Sequence, residues 1–117
     1  MDRPNKVSIL GTEWSIEYRK AKDDRALENL GGYCDNTIKM IVVSKQRKKP
    51  KPEECFDLRE YERGCLRHEI VHAFMYESGL AHDSFGSEHW AMCEEMVDWI
   101  ARQHKKIHKA FKEAGAL

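Results

Sequence analysis

Residues 45–52 read KQRKKPKP, and this run separates two stretches of chain that obey different hydrophobic periods. Two prolines and five basic groups suit neither a helix interior nor a central strand, because proline has no N–H and like charges repel. The run is expected to be a solvated connector, with a basic rim for an acidic partner as the alternative. Before it, Trp14, Ile16 and Tyr18 alternate with polar neighbours, the period of two of a half-buried strand. Residues 7–10 are apolar-rich and Gly11-Thr12 can turn, so the two segments read as a hairpin. Residues 23–30 form a short helix or a wide loop that Gly31-Gly32 stops. Residues 33–43 return to strand, with Asp35-Asn36 as a turn or bulge.

After the connector the period becomes helical. Asp57-x-x-Glu60 resembles a capping box that opens a helix, and Gly79 suits the position just past its end. Gly64 inside this helix costs about 1 kcal/mol against alanine, which calls for a packing reason. A loop over residues 80–86 is expected, then a second helix from near Ser87 towards Lys112. Along it Trp90, Cys93, Val97, Ile100, Ala101, Ile107 and Phe111 recur at three- and four-residue spacing. At 117 residues the chain is expected to form one domain, residues 1–117, of class α+β: a small, mostly antiparallel N-terminal sheet packed on two main helices.

Charge narrows the function. Lys+Arg and Asp+Glu balance at 20 each, but the sign is uneven: residues 1–52 carry +5, residues 53–98 carry −9 and residues 99–117 carry +4. A nucleic-acid binder would show a large basic excess, so nucleic acid is not expected as a partner. An acidic middle that also holds histidines suits a cation. No apolar run approaches the ~18 residues of a membrane span, and MDRPNKVSIL lacks the apolar core of a secretory signal. Cys34, Cys55, Cys65 and Cys93 form no CxxC pair, which argues against a zinc ribbon and for reduced thiols in a cytoplasmic protein.

Within the acidic middle lies His68-Glu69-Ile70-Val71-His72. Residues i and i+4 share a helix face, so both imidazoles can converge on one ion. Glu69, one step round, can reach a water on that ion without ligating it. The composition predicts roughly 0.03 chance matches to H-E-x-x-H in this chain, and the apolar Ile70 and Val71 give the helix a side to bury. Zinc (Zn2+) is the expected ion, held by His68 and His72, with Glu69 as general base. A third ligand is needed, and the second helix offers Glu94, Glu95 and His89.

Helix phase ranks these three. With Val97 at zero and about 100° per residue, Glu94 falls near +60°, Glu95 near 160° and His89 near −80°. Glu94 thus flanks the buried stripe, where a carboxylate needs a cation, whereas Glu95 faces solvent. Asp98, one turn beyond Glu94, can accept the free ring N–H of a ligating histidine.

HEIVH followed by Glu94-Glu95-Met96-Val97-Asp98-Trp99-Ile100-Ala101 resembles the ImmA/IrrE-type metallopeptidases, whose second motif reads roughly E-x-x-A-N-x-F-A. The chain is also similar to small phage and prophage zincin-like proteins. Asp98 stands where that pattern has asparagine and Val97 where it has alanine. SprT-like proteases are a second similarity; they have a downstream histidine, a place His89 can take, and often a ribbon that is missing here. The resemblance implies a zincin-type metal site, hydrolysis of a protein or peptide substrate, and a repressor or other regulatory protein as that substrate.

Other conspicuous residues take plainer readings. His104 and His108, amid lysines, are a solvated basic face; Trp90 and Trp99 pack in the core and at its rim. Tyr33, Tyr61, Tyr76 and His89 are candidate donors to an oxyanion. Residues 38–43 are either an internal strand or an edge able to pair with an extended peptide. A zinc-stabilised interaction module that cleaves nothing is the rival function, favoured by how little wall so short a chain can spare for a cleft.

Overall fold

The computed structural model describes residues 3–53, 57–84 and 90–117. Four strands form one sheet: β1 (Lys6–Ile9), β2 (Thr12–Arg19), β3 (Gly32–Asp35) and β4 (Met40–Ser44), in the order β1-β2-β4-β3. β1 pairs antiparallel with β2, as the first hairpin pattern requires, and residues 33–43 fold into a second antiparallel hairpin of β3 and β4. β2 and β4 are parallel neighbours, so the sheet is mostly antiparallel with one parallel seam. The first turn is Leu10-Gly11, at φ of 49° and 89°, and not Gly11-Thr12, because Thr12 already pairs with Ile9. A two-residue turn with both φ positive matches the twist of the flanking strands. Between the hairpins, residues 21–27 make two 3-10 turns and bury Leu27.

β4 lies inside the sheet, with β2 on one side and β3 on the other. Of the two readings of residues 38–43, the internal strand is therefore the one that holds, and the exposed edge belongs to β3. Ile41, Val42 and Val43 are fully buried, which the β-branched run tolerates because both faces are covered.

Three helices follow: α1 (Leu58–Glu77), α2 (Leu80–Asp83) and α3 (Glu94–Glu113). The Asp57 side chain accepts from the Glu60 N–H at 2.9 Å and caps α1. Gly79, at φ 86°, ends it in the left-handed conformation that glycine adopts without strain. Residues 80–83, expected as loop, close a single helical turn instead, through Asp83 N–H to Gly79 O and Ser84 N–H to Leu80 O. Ser87 and His89, where the second helix was expected to begin, lie outside the described residues; regular helix begins at Glu94, after a 3-10 turn over Trp90–Met92.

The core lies between α1 and one face of the sheet. Ile9, Trp14, Ile16, Ile41, Val43 and Ala73 form it, with Cys34, Cys65, Leu66, Ile70 and Tyr76 packed around them. Two buried or half-buried carboxylates fasten α1 to the sheet layer. Near its start, Glu62 (2% exposed) meets Arg3 and Arg59, each at 2.8 Å, and accepts from the Gln46 N–H at 2.7 Å. At its end, Glu77 accepts from the Trp14 indole at 2.9 Å and from Thr12 at 3.2 Å, and pairs with Lys39 at 2.9 Å. α3 packs on α1 and buries only Val97 and Ala101. Trp90 and Trp99 are 49% and 57% exposed, so neither is a core residue; Trp90 precedes α3 and Trp99 lies off its buried stripe.

Candidate metal centre

The polar side chains that converge come from the middle of α1 and the first turn of α3. His68 and His72, one turn apart, bring their Nε2 atoms to 3.1 Å. Glu94 closes the triangle, with one oxygen 2.8 Å from His68 Nε2 and the other 3.0 Å from His72 Nε2. One donor atom from each of the three lies within 4.8 Å of the other two, so this group could hold a metal ion. A zinc with bonds of about 2.0–2.1 Å in a tetrahedron sets its ligand atoms roughly 3.3 Å apart, close to these separations.

Protonation is arranged to suit. His68 Nδ1 lies 2.6 Å from the Asp98 carboxylate, which can only accept, so the ring proton belongs on Nδ1 and the Nε2 lone pair faces the gap. Burial pushes the His72 pKa down, which keeps that ring neutral, the form that ligates. Its Nδ1 is buried without a hydrogen-bond partner among the described residues. Glu95 is exposed and is not among the converging groups, whereas His89 lies outside the described residues. Glu94 is not buried as its helix phase suggests: its side chain is 69% exposed. As the first residue of α3 it reaches across the gap with its carboxylate while its stem stays in solvent.

Glu69 points to the other side of the same gap. It is 6% exposed, with its carboxylate 4.0 Å from His68 Nε2, and burial pushes its pKa up to about 7, against the pull of His68. Room for it depends on Gly32 of β3: a Cβ there would stand 3.2 Å from Glu69 Cγ and 2.7 Å from the Val42 carbonyl. Gly31 is as tight, since a Cβ would meet Cys65 Sγ at 2.5 Å. This glycine pair, read in the sequence as a helix stop, lets the edge strand lie directly against α1. Gly64 has no such role, because an added Cβ would find only an ordinary contact with Arg67 at 3.7 Å. The Cys34 thiol interacts with the Glu69 carboxylate, and burial pushes it up to about 12, so it stays protonated and is no nucleophile at neutral pH. Cys34, Cys65 and Cys93 are free thiols; Cys55 lies outside the described residues.

These groups line an open cleft of about 760 Å³. Its walls are residues 29–34, Tyr61 and Tyr76 with the histidine face of α1, and Glu94, Asp98 and Arg102 of α3. The chain therefore has the wall that its length seemed to deny it. Of the candidate oxyanion donors, Tyr33 is committed to Asp24, to which it donates at 2.6 Å. Tyr76 lines the cleft without a hydrogen bond among the described residues. His104 and His108 lie on the exposed part of α3, as read. No described helix is long and apolar enough to cross a membrane.

No curated protein and no solved structure shows significant similarity to this chain. A family model, described as peptidase of plants and bacteria, matches residues 18–116, from the second strand to the end of the last helix. That span takes in the cleft, the converging histidines and the edge strand beside them, and the chain belongs to this family of peptidases.

Proposed function

We propose that residues 1–117 act as one zinc-dependent metallopeptidase unit, with His68, His72 and Glu94 as ligands, Glu69 as general base and Asp98 as the positioning group behind His68. The observation that carries the reading is the convergence of two imidazole Nε2 atoms and a carboxylate at 2.8–3.1 Å, with a buried glutamate beside them in a cleft. When bound, zinc would polarise the scissile carbonyl and make water acidic enough to be deprotonated near neutral pH.

The chain's own residues supply the rest. Glu69, held against Gly32 at the floor of the cleft, takes the water proton and passes it to the leaving amine. The β3 edge offers unpaired backbone groups along the cleft, against which an extended peptide can lie as an added strand. Tyr76 is the candidate donor to the oxyanion. The likeness of HEIVH and the Glu94–Ala101 stretch to ImmA/IrrE-type enzymes supports the same ligand set and a regulatory protein as substrate, and cysteines without a CxxC pair support a place of action in the cytoplasm.

The test is metal analysis together with hydrolysis of a quenched-peptide library. Protein purified without added zinc should carry about one zinc per chain. Glu69→Gln should keep that zinc and lose hydrolysis by roughly 10²–10⁴-fold. Full zinc occupancy in both His68→Ala and His72→Ala would refute the metal site. Zinc bound but no peptide cleaved by the native chain would favour an interaction module.

A further inference from the structure

A second concavity of about 660 Å³ lies at the end of the sheet, lined by Lys20, Ala21, Lys22, Ser44, Lys45, Gln46, Arg47 and Lys48. Five of those eight side chains are cationic and none is a carboxylate. Two segments far apart in sequence build it. Lys45 N–H donates to Arg19 O at 2.8 Å, continuing the parallel seam and bringing the 20–22 turn beside the 45–48 segment. Lys20, Lys22, Lys45 and Lys48 are exposed and make no ion pair among the described residues. Asp23, next to Lys22 in the chain, is exposed and lies outside the lining.

The basic run is held in place. Gln46 N–H donates to the buried Glu62, and Arg59 donates to the carbonyls of Gln46 and Arg47 at 2.9 and 2.7 Å. Its cations are thus preorganised around a depression, which lowers the ordering cost of binding. The depression also adjoins the peptidase cleft. Ser44, on its floor, donates its N–H to Gly31 O at 2.9 Å, and Gly31 lines the cleft. An extended chain advancing about 3.3 Å per residue would pass from one to the other within a few residues.

We propose that this depression is an exosite that grips an acidic segment of the polypeptide substrate, flanking the bond held in the cleft; the proposal rests on the peptidase reading of that cleft. The chemistry favours a polypeptide over nucleic acid. Among the described residues, no aromatic side chain lines the depression to stack a base. A polyphosphate running on into the cleft would meet Glu69, Glu94 and Asp98.

The experiment measures binding of a labelled short oligoglutamate to the full chain by anisotropy. A single-stranded oligothymidylate of matched charge serves as the competing probe. Combined Lys20→Glu, Lys22→Glu, Lys45→Glu and Lys48→Glu should weaken oligoglutamate binding about tenfold or more, and Lys45→Gln with Lys48→Gln about threefold, with added salt weakening the native chain similarly. The milder pair keeps the test valid if four reversals disturb the fold. Glu69→Gln should bind oligoglutamate as the native chain does. Equal affinity in native and lysine variants, or tighter binding of the oligothymidylate, would overturn the exosite. With a cleavable peptide, an acidic flank should lower KM in the native chain and not in the lysine variants, at similar kcat. Lysine-dependent oligoglutamate binding without hydrolysis of any peptide would uphold the acidic-peptide site while refuting the peptidase reading.

Discussion

Helices α1 and α3 have 20 residues each and face one another across the same gap, yet they are held in opposite ways. α1 buries Leu58, Glu62, Glu69, His72 and Ala73, and is tied to the sheet layer by Glu62 near one end and Glu77 at the other. α3 buries Val97 and Ala101, and its contribution to the site, Glu94 and Asp98, is 69% and 44% exposed. The α1 side is thus positioned by folding alone, so the histidine lone pairs and Glu69 are in place before any ion arrives. The α3 side is positioned in part by the charges it meets. On the proposed reading, α1 would supply both histidine ligands and the base, and α3 would complete the hold on the ion through Glu94.

The largest effect that sharpens this contrast concerns zinc affinity. Glu94→Ala should lower it by about 100-fold or more, and Asp98→Asn by roughly 10–100-fold, while Glu95→Ala leaves it unchanged. Competition with a chelating dye measures all three. A loss confined to Glu95→Ala would mean that the register of α3 is wrong; a loss confined to His89→Ala would point to a three-histidine site.

Smaller, and on the other helix, is the effect of removing an anchor. Glu62→Ala strips the Gln46 N–H of its acceptor and leaves Arg3 and Arg59 without their shared carboxylate. Both arginines can turn to solvent, so the cost is about 1–3 kcal/mol, read by urea denaturation. Trp99→Ser on α3 should cost less than about 0.5 kcal/mol, because that ring is mostly in solvent. Similar losses from the two would mean that α1 and α3 are held equally firmly.

The smallest effect depends on pH. Hydrogen bonds from Lys39, Trp14 and Thr12 hold Glu77 below the usual carboxylate range. The stability it contributes is present above the unfolded-state pKa, near 4.3, and is lost as pH falls through the lower folded value. Melting curves of native protein and Glu77→Gln should therefore differ at neutral pH and converge in acid. A gap that persists at the acid end would place the stabilisation in shape rather than in charge.

Local signals carried over well into the structure. The alternation of Trp14, Ile16 and Tyr18, the Asp57 cap and Gly79 at φ 86° each act within a few residues, and each element stands where its signal put it. What could not be read is what depends on distant partners. No local pattern encodes that β2 and β4 lie side by side, so β4 could be read as either internal or edge. Gly31-Gly32 looked like punctuation because Cys65 and Glu69, which require the missing side chains, lie more than thirty residues on. Helix phase put Glu94 on the side of α3 where it meets the two histidines, but could not show that its side chain stays mostly exposed. Trp90 and Trp99 failed for the same reason: hydrophobic character alone does not say what is opposite.

The parallel seam between β2 and β4 has a further consequence, for the order of assembly. Each antiparallel hairpin closes over a short turn and can form early as a local unit, whereas the seam joins Ser15–Arg19 to Met40–Ser44 across more than twenty residues. α1 rests on strands from both hairpins, so its docking surface exists only once the seam has closed. Substitutions within either hairpin turn, or at Ile16 or Ile41 in the seam, should then mainly slow folding, and those at contacts made once α1 docks, such as Glu77, should mainly speed unfolding. The convergence of His68, His72 and Glu94 at the cleft would be among the last features of the molecule to appear and, on unfolding, among the first to go.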